Sequence, residues 1–457
     1  MNPQIFREYD IRGVVDRDFD VADLERIGLA FGTYVRERGG KRLAVGRDHR
    51  LSSAAFCAAL TNGLRATGCD VVDVGLVPTP LLYFAIVHLK TDGGCMITAS
   101  HNPAQYNGIK LCFGSGALYG EEIQQVGRLA EKGPFAQGGS QRQEAEVLSA
   151  YLDYVMQRVQ LSRPLRVVLD AGNGTSGLLA PDLLRRLGCE VHELYCEVDG
   201  TFPNHHPDPT VPENLRDLIR EVKARKADVG LAYDGDSDRL GVIDERGEII
   251  WGDRLLVLFA REILSRRPGA KIIFDVKCSQ VLIDDVYKHG GTPIMWLTGH
   301  SLIKKKLQEE QAALAGEMSG HLFFADGYLG FDDAIYASCR LLQILAQANR
   351  PLSTLLQDLP ATYNTPEIRV VCADEEKFQV VEQLKEEFQR EYPVVTIDGA
   401  RVAFGDGWGL VRASNTQPAL VLRFEATSPQ RLDAIQSVMM EKLRRYPAVK
   451  LDASVGH

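Results

Sequence analysis

Three stretches of this 457-residue chain repeat one pattern, and that repetition limits the possible folds more than any other feature. They are "KRLAVGRDHRLSSAAFCAALTNGLRATGCDVVDVG" from Lys41, "LRVVLDAGNGTSGLLAPDLLRRLGCEVHELY" from Leu165 and "KIIFDVKCSQVLIDDVYKHGGTPIMWLT" from Lys271. Each holds a basic residue, a short apolar strand, a polar loop, an amphipathic helix, a glycine and a second strand. In the helices, apolar residues recur three and four apart (Ala59, Leu60, Leu64; Leu183, Leu184, Leu187; Leu282, Ile283, Val286), so one face of each rests on a sheet. Gly68, Gly188 and Gly290 follow, where a left-handed cap is expected. Strand-helix-strand units of this length pair their strands in parallel through a right-handed crossover.

Each unit runs on into a strand, a loop and another strand: "GCMITASHNPAQYNGIKL", "ADVGLAYDGDSDRLGVI" and "QAALAGEMSGHLFF". Three sibling domains therefore present three chemically different loops at the same corner. In open α/β sheets ligands gather there, beyond the carboxyl ends of the strands. The tail from about residue 361 breaks the pattern, with two strands around a polar loop in "GWGLVRASNTQPALVLRFEA" and a helix in "SPQRLDAIQSVMMEKLRRY". Linkers are expected in "EKGPFAQGGSQRQ", "DERGE" and near "LPATYNTPE". The expected class is α/β with four domains around a central cleft. Residues 1–146, 147–248 and 249–360 form three related mixed α/β sheet domains, and 361–457 a smaller α+β C-terminal domain.

"DGDSDR" sets Asp234, Asp236 and Asp238 at alternate positions, which an extended loop turns to one side. Two such carboxylates ~4 Å apart repel by roughly 4 kcal/mol at an effective dielectric of 20. Either solvent relieves that repulsion in an exposed turn or a cation neutralises it. Oxygen ligands without imidazole or thiolate point to Mg²⁺. An EF-hand is rejected, because its sixth position would be Arg239 where glycine is needed, its ninth Val242, and strands flank it. Arg239 instead suits a phosphate oxygen beside the metal.

Ser100, in "TASHNP", lacks the G-x-S-x-G elbow, and His101 has no evident acidic partner, so an acyl-transfer triad is poorly supported. A serine that carries a phosphoryl group next to the metal fits better, with Lys110 offsetting its charge or moving its proton. In "GEMSGH", Glu317 and Ser319 suit the paired hydroxyls of a sugar ring, with His321 beside them. In "RASNTQP", Arg412, Ser414, Asn415 and Thr416 can cradle a phosphate dianion. Taken alone, each of these two loops is as readily a polar hairpin.

Two motifs pull elsewhere. "GNGTSG", after a strand and before a helix with Glu193 ending the next strand, is a dinucleotide fingerprint in its expected context. Pro181 early in that helix, and siblings reading "GRDHRLSS" and "DVKCSQVL", favour a glycine-lined helix entry instead. His205, His206 and Asp208 in "NHHPD" offer transition-metal ligands, or simply a proline-rich interdomain loop.

A formal charge of -9, a pI near 5.7 and the lack of a basic run argue against nucleic acid as a partner. Nine scattered cysteines without a C-x-x-C pair suit reduced thiols in a cytoplasmic protein. No run of eighteen apolar residues suggests a membrane span, "MNPQIFREYDIRG" is no secretion signal, and no obligate protein partner is evident.

Taken together, "TASHNP", "DGDSDR", "GEMSGH" and "RASNTQP" in this order closely resemble the α-D-phosphohexomutase superfamily, and within it the bacterial phosphomannomutase/phosphoglucomutases, over nearly the whole chain. "FREYDIRG", Met318 and "LVLRFEA" resemble the mannose/glucose branch more than the phosphoglucosamine mutases. The resemblance implies a phosphoserine at Ser100, and Mg²⁺ held by Asp234, Asp236, Asp238 and that phosphate. It implies that Glu317 and Ser319 bind sugar O3 and O4, and that Arg412, Ser414, Asn415 and Thr416 hold the substrate phosphate. Tyr9, Arg12, Lys110, Arg239, Lys277, His300 and His321 match positions that line the family's cleft. The implied activity is reversible conversion of hexose 1-phosphate and hexose 6-phosphate, with a hexose 1,6-bisphosphate as intermediate and activator and phosphosugars as the small-molecule partners. An NAD-dependent oxidoreductase, through "GNGTSG", and a non-catalytic sugar-phosphate sensor are the alternatives of other classes.

Overall fold

A computed structural model describes residues 1–454 except 115 and 416, with side chains as far as residue 451. Each repeat forms the parallel pair its periodicity predicts. Arg42–Arg47 pairs with Asp70–Leu76, Arg166–Asp170 with Glu190–Leu194, and Lys271–Asp275 with Thr292–Trp296, across the helices Ser53–Ala66, Ala180–Arg186 and Gln280–Lys288. Gly68, Gly188 and Gly290 take φ of +88°, +95° and +76°, the left-handed caps that a side chain would strain.

The strand-loop-strand stretches complete the same sheet three times. Gly93–Ile97, Val229–Tyr233 and Leu314–Gly316 lie parallel to the first strand of their unit, on the side away from the second. Tyr106–Phe113, Leu240–Asp244 and Leu322–Phe324 return antiparallel beside them. In unit numbering every sheet reads fourth, third, first, second. The chain therefore reverses its winding between first and third strands, and the loops leaving those strands open on one crevice. All three expected linkers carry structure: Arg142–Glu144 returns as an edge strand of the first sheet, "DERGE" is the turn before Ile249–Ile250, which still pairs in the second, and Tyr363–Asn364 of "LPATYNTPE" pairs with Glu425 and Ala426.

One apolar core runs through all three sheets from behind. The helix Thr79–His88 is buried from Thr79 to Ile86, and its Phe84 meets Tyr151 while Tyr83 meets Phe331. Burying each such ring contributes about 1.5–3 kcal/mol, so the first three sheets are fixed against one another. The fourth sheet is antiparallel, built on Gly407–Ala413 and Ala419–Ala426, with the helices Asp374–Gln389 and Pro429–Leu443 packed on it. It keeps its own core and meets the third sheet through a small cluster of Val276, Trp408 and Leu410. Among the described residues no helix is long and apolar enough to cross a membrane.

Candidate active site

The loops beyond the third strands meet. Ser100 sits at φ +51°, unusual for serine, and its N–H donates to Thr98 Oγ1 at 2.9 Å. Its hydroxyl donates to Asp234 Oδ2 at 2.6 Å, joining the first unit to the second. Thr79 and Thr98 donate to Asp236 Oδ2 at 2.6 and 3.2 Å, and Lys110 Nζ donates to Asp238 Oδ2 at 2.7 Å.

The extended loop expected for the aspartates is corrected here. Ser237 N–H donates to Asp234 O at 3.1 Å and Ser237 has φ +68°, so the segment is a tight turn. That turn folds the carboxylates inward, with Asp234 Oδ1 accepting the N–H groups of Asp238 and Arg239 at 3.0 Å each. All three aspartates are fully buried. One oxygen of each lies within 4.8 Å of the others, and Asp236 Oδ1 and Asp238 Oδ1 have no hydrogen-bond partner. Burial, then Asp238 and Asp236, push the Asp234 pKa well above the usual carboxylate range. Buried, orphaned carboxylate oxygens beside a third carboxylate fit a hard divalent cation.

"GEMSGH" makes the same kind of turn, with Gly320 N–H donating to Glu317 O at 3.1 Å and Gly320 at φ +93°. It lies against the aspartate loop, since Arg239 bridges to His321 and Leu240 N–H donates to Gly320 O. Arg239 Nε donates to His321 Nε2 at 3.0 Å, which assigns that nitrogen the lone pair. His321 Nδ1 lies 3.2 Å from Asp332 and 3.6 Å from Asp238, and His300 Nδ1 lies 3.7 Å from Asp332. Burial, with Lys110 and Lys304 nearby, holds the His300 pKa well below its ordinary value.

Glu317 Oε1 accepts from Gly299 N–H at 2.6 Å and Oε2 from Ser319 Oγ at 2.9 Å. Tyr9 closes the cleft edge: its hydroxyl donates to Thr298 O at 2.8 Å and accepts from Asn415 Nδ2, joining first, third and fourth sheets. Arg412 Nε donates to Asp398 Oδ2 at 2.8 Å, while its buried Nη2 has no partner. Lys277 Nζ donates to Glu367 at 3.2 Å. Ser414 Oγ accepts from Gln417 N–H at 3.1 Å, and Thr416 lies outside the described residues. Arg12 donates to Asp10 at 2.5 Å and reaches Asn102 at 3.4 Å, at the rim of the Ser100 loop.

Comparison with known proteins decides the family. Phosphoglucomutase/phosphomannomutase profiles match in sequence: alpha/beta/alpha domain I at residues 3–136, domain II at 149–247, domain III at 251–363 and the C-terminal domain at 367–442. The chain belongs to the phosphoglucomutase/phosphomannomutase family. A phosphomannomutase/phosphoglucomutase of Pseudomonas aeruginosa is 49% identical over 441 residues, covering 96% of this chain and 95% of the relative. A phosphoglucomutase of Neisseria gonorrhoeae is 47% identical over 438 residues, covering 95% of each. A crystal structure of a phosphoglucomutase/phosphomannomutase family protein from Burkholderia thailandensis superposes with a TM-score of 0.93 at 46% identity, covering 98% of this chain and 99% of that one.

Within this phosphoglucomutase/phosphomannomutase chain the rival motifs find other uses. "GNGTSG" opens a 3-10 turn, Thr175–Leu178, and buttresses the aspartate loop: Thr175 N–H donates to Gly235 O at 3.0 Å and Thr175 Oγ1 meets Ser237 Oγ at 3.0 Å. A Cβ on Gly174 would come within 2.9 Å of Gly235 O, and one on Gly177 within 2.1 Å of Cys196 O. These glycines are needed for close approach of protein backbone, which suits the glycine-lined helix entry favoured from the sequence. His205 Nε2 is taken by Asp170 at 3.1 Å and Asp208 Oδ1 by Thr210, so these side chains of "NHHPD" brace the loop, and among the described residues they form no metal-capable cluster. His101 Nδ1 lies 3.1 Å from Ser100 Oγ. Burial, then Arg239 and Arg12, hold its pKa well below the ordinary value. Asp332, Asp398, Glu367 and the Thr79 and Thr98 hydroxyls are site residues that sequence reasoning did not single out.

Proposed function

We propose that this protein interconverts hexose 1-phosphate and hexose 6-phosphate through a phosphoserine at Ser100 and a hexose 1,6-bisphosphate. The 2.6 Å contact of Ser100 Oγ with Asp234 carries the proposal, because it sets a hydroxyl at φ +51° against a buried carboxylate trio with unfilled oxygens. Such a hydroxyl is the place for a dianionic phosphoryl group only if positive charge joins it there. Asp234, Asp236 and Asp238, with an oxygen of the Ser100 phosphate, would hold Mg²⁺, which supplies charge to the transferring phosphoryl oxygens.

In the forward half-reaction the P–O bond to Ser100 breaks as a P–O bond forms to the free sugar hydroxyl, and the hydroxyl proton passes to Ser100 Oγ. His321, which flanks Asp238, serves that proton transfer, Lys110 on the other oxygen of Asp238 offsets the charge of the transferring group, and Arg239 faces the phosphoryl oxygens. Glu317 and Ser319 grip O3 and O4, while Arg412, with its spare Nη2, and the Ser414–Asn415–Thr416 loop hold the phosphate that is not transferred. The bisphosphate then turns within the cleft and returns its other phosphoryl group to Ser100. Glucose and mannose differ only at O2, for which this reading assigns no grip; one similar protein is named for both sugars and another for glucose.

Intact-mass and peptide mapping of the purified protein test the proposal. Ser100 should gain a phosphoryl group from glucose 1,6-bisphosphate and lose it to a hexose monophosphate. An active enzyme that carries phosphate at another residue, or never at Ser100, would overturn it.

A further inference from the structure

Ser100 is held by a side chain that no cleft ligand reaches. Arg50 is buried, with its Nε donating to Asp48 Oδ2 at 3.2 Å. Its Nη1 donates to the carbonyls of Pro103 and Tyr106 at 2.7 and 3.0 Å, and its Nη2 to those of Ser100 and Asn102 at 2.8 and 2.5 Å. All five guanidinium donors are thus spent, four of them on one loop, and none remains for substrate. The second unit covers the arrangement: the Phe202 ring lies 5.1 Å from the guanidinium, and a Cβ on Gly200 would come within 2.5 Å of His49 O.

The fourth sheet repeats the device. Lys377, also buried, donates through Nζ to the carbonyls of Ser414 and Gln417 at 2.5 and 3.0 Å and to Asp374 at 2.6 Å. Both loops must meet an anion in the proposed reaction. Their carbonyl oxygens carry partial negative charge, so a buried cation that takes those oxygens keeps them from facing a phosphate.

We propose that Arg50 is the positioning residue of the Ser100 loop, setting the rate of phosphoryl transfer, and that Lys377 positions the phosphate loop, setting substrate affinity. The inference rests on Ser100 being the phosphoryl acceptor. Neither cation touches reacting atoms, so each acts through the loop it holds. Arg50→Lys keeps the charge beside Asp48 but loses the planar fork, and one ammonium cannot span four carbonyls.

The test follows phosphate uptake by dephosphorylated protein from glucose 1,6-bisphosphate with Mg²⁺, across bisphosphate concentrations. Arg50→Lys should lower the saturated rate by about 100-fold, the scale expected when a reacting group is misplaced by ~1 Å, with half-saturation little moved. Lys377→Gln should do the reverse, raising half-saturation more than tenfold while the saturated rate stays within about threefold. A merely structural role would move both parameters alike in both variants, and that result would overturn the proposal, as would an Arg50→Lys protein that labels at the wild-type rate. Should Arg50→Lys not fold, Asp48→Asn, which loosens the anchor of the guanidinium, should slow labelling about tenfold, and wild-type labelling by that variant would count against the idea equally. Wild-type protein that takes no phosphate at Ser100 would defeat the phosphoserine assignment itself, a different failure from equal labelling of wild type and variant.

Discussion

Lys110 is a buried cation in contact with the aspartate trio, on the carboxylate oxygens opposite the two that have no partner. Its Nζ is 2.7 Å from Asp238 and 3.8 Å from Asp236. Burial alone would lower its pKa, but Asp238, Asp236 and Asp332 outweigh burial and the net shift is upward, so it is charged. At an effective dielectric of 20 those distances correspond to gross attractions of roughly 6 and 4 kcal/mol. Desolvation of the ammonium offsets much of this, and breaking a buried pair by removing one partner costs about 3–5 kcal/mol net. Lys110→Met keeps the length of the side chain and removes the charge. In EDTA it should therefore unfold with a free energy ~3–5 kcal/mol below wild type. A metal ion that restores only ~2 kcal/mol of that loss would bind about 30-fold more tightly than to wild type. Urea unfolding in EDTA and in Mg²⁺, together with calorimetric titration of Mg²⁺, reads both numbers. Mg²⁺ bound more weakly by the variant, with unaltered stability in EDTA, would refute the view that lysine and metal neutralise the same carboxylates.

Ser100→Ala should abolish phosphate uptake and lower mutase turnover by orders of magnitude, as activity assay and mass spectrometry would register. Arg412→Ala should mainly raise KM, because its contact with the untransferred phosphate is the same in ground and transition states; a loss confined to kcat would contradict this. Gly299 has φ +138°, and a Cβ there would come within 2.5 Å of the Tyr9 ring, so Gly299→Ala should part the first and third sheets at the cleft edge, seen as faster proteolysis and higher KM. Asp333 takes the hydroxyls of Tyr151 and Tyr328 at 2.8 and 2.6 Å, and burial raises its pKa to about 6. A raised carboxyl pKa contributes stability that is full below the unfolded value and lost as pH rises through about 6. Relative to Asp333→Asn, the wild type should lose up to ~3 kcal/mol between pH 4 and 7, measured by denaturant unfolding of both proteins.

The parts of this molecule legible in its sequence are those fixed by neighbours along the chain. Apolar spacing in "AALTNGL" or "DLLRRLG" decides a helix face locally, and the strand on either side then has a single handed way to pair. "DGDSDR" was legible because three carboxylates in five residues repel one another and call for either solvent or an opposite charge. Asp332 was not. It precedes Asp333, whose side chain accepts from Tyr336 N–H at 2.8 Å and caps the helix Ala334–Ala348. Two adjacent aspartates before a helix read as capping chemistry, and only tertiary structure turns the first toward His321, His300 and Lys304. Asp398 and Glu367 were hidden likewise, since their partners Arg412 and Lys277 lie 14 and 90 residues away.

The misjudged loop geometry shows how three similar sheets came to hold three chemistries. The second and third loops close the same turn, from Asp234 O to Ser237 and from Glu317 O to Gly320, and each places its left-handed residue at the turn's end. They also pair directly through Arg239 and His321, so the aspartates and the Glu317 carboxylate keep one register. The first loop puts its left-handed residue at Ser100 itself, where the cost of about 1–2 kcal/mol falls on the residue that must present a hydroxyl. Among the described residues no sibling loop pairs with it along its backbone in the same way. It is held by Arg50 from behind and by Thr98 and Asp234 from the sides. The repeat explains why three loops share one crevice. Which residue of each loop takes the left-handed conformation, and what holds it there, is what sets the three loops apart.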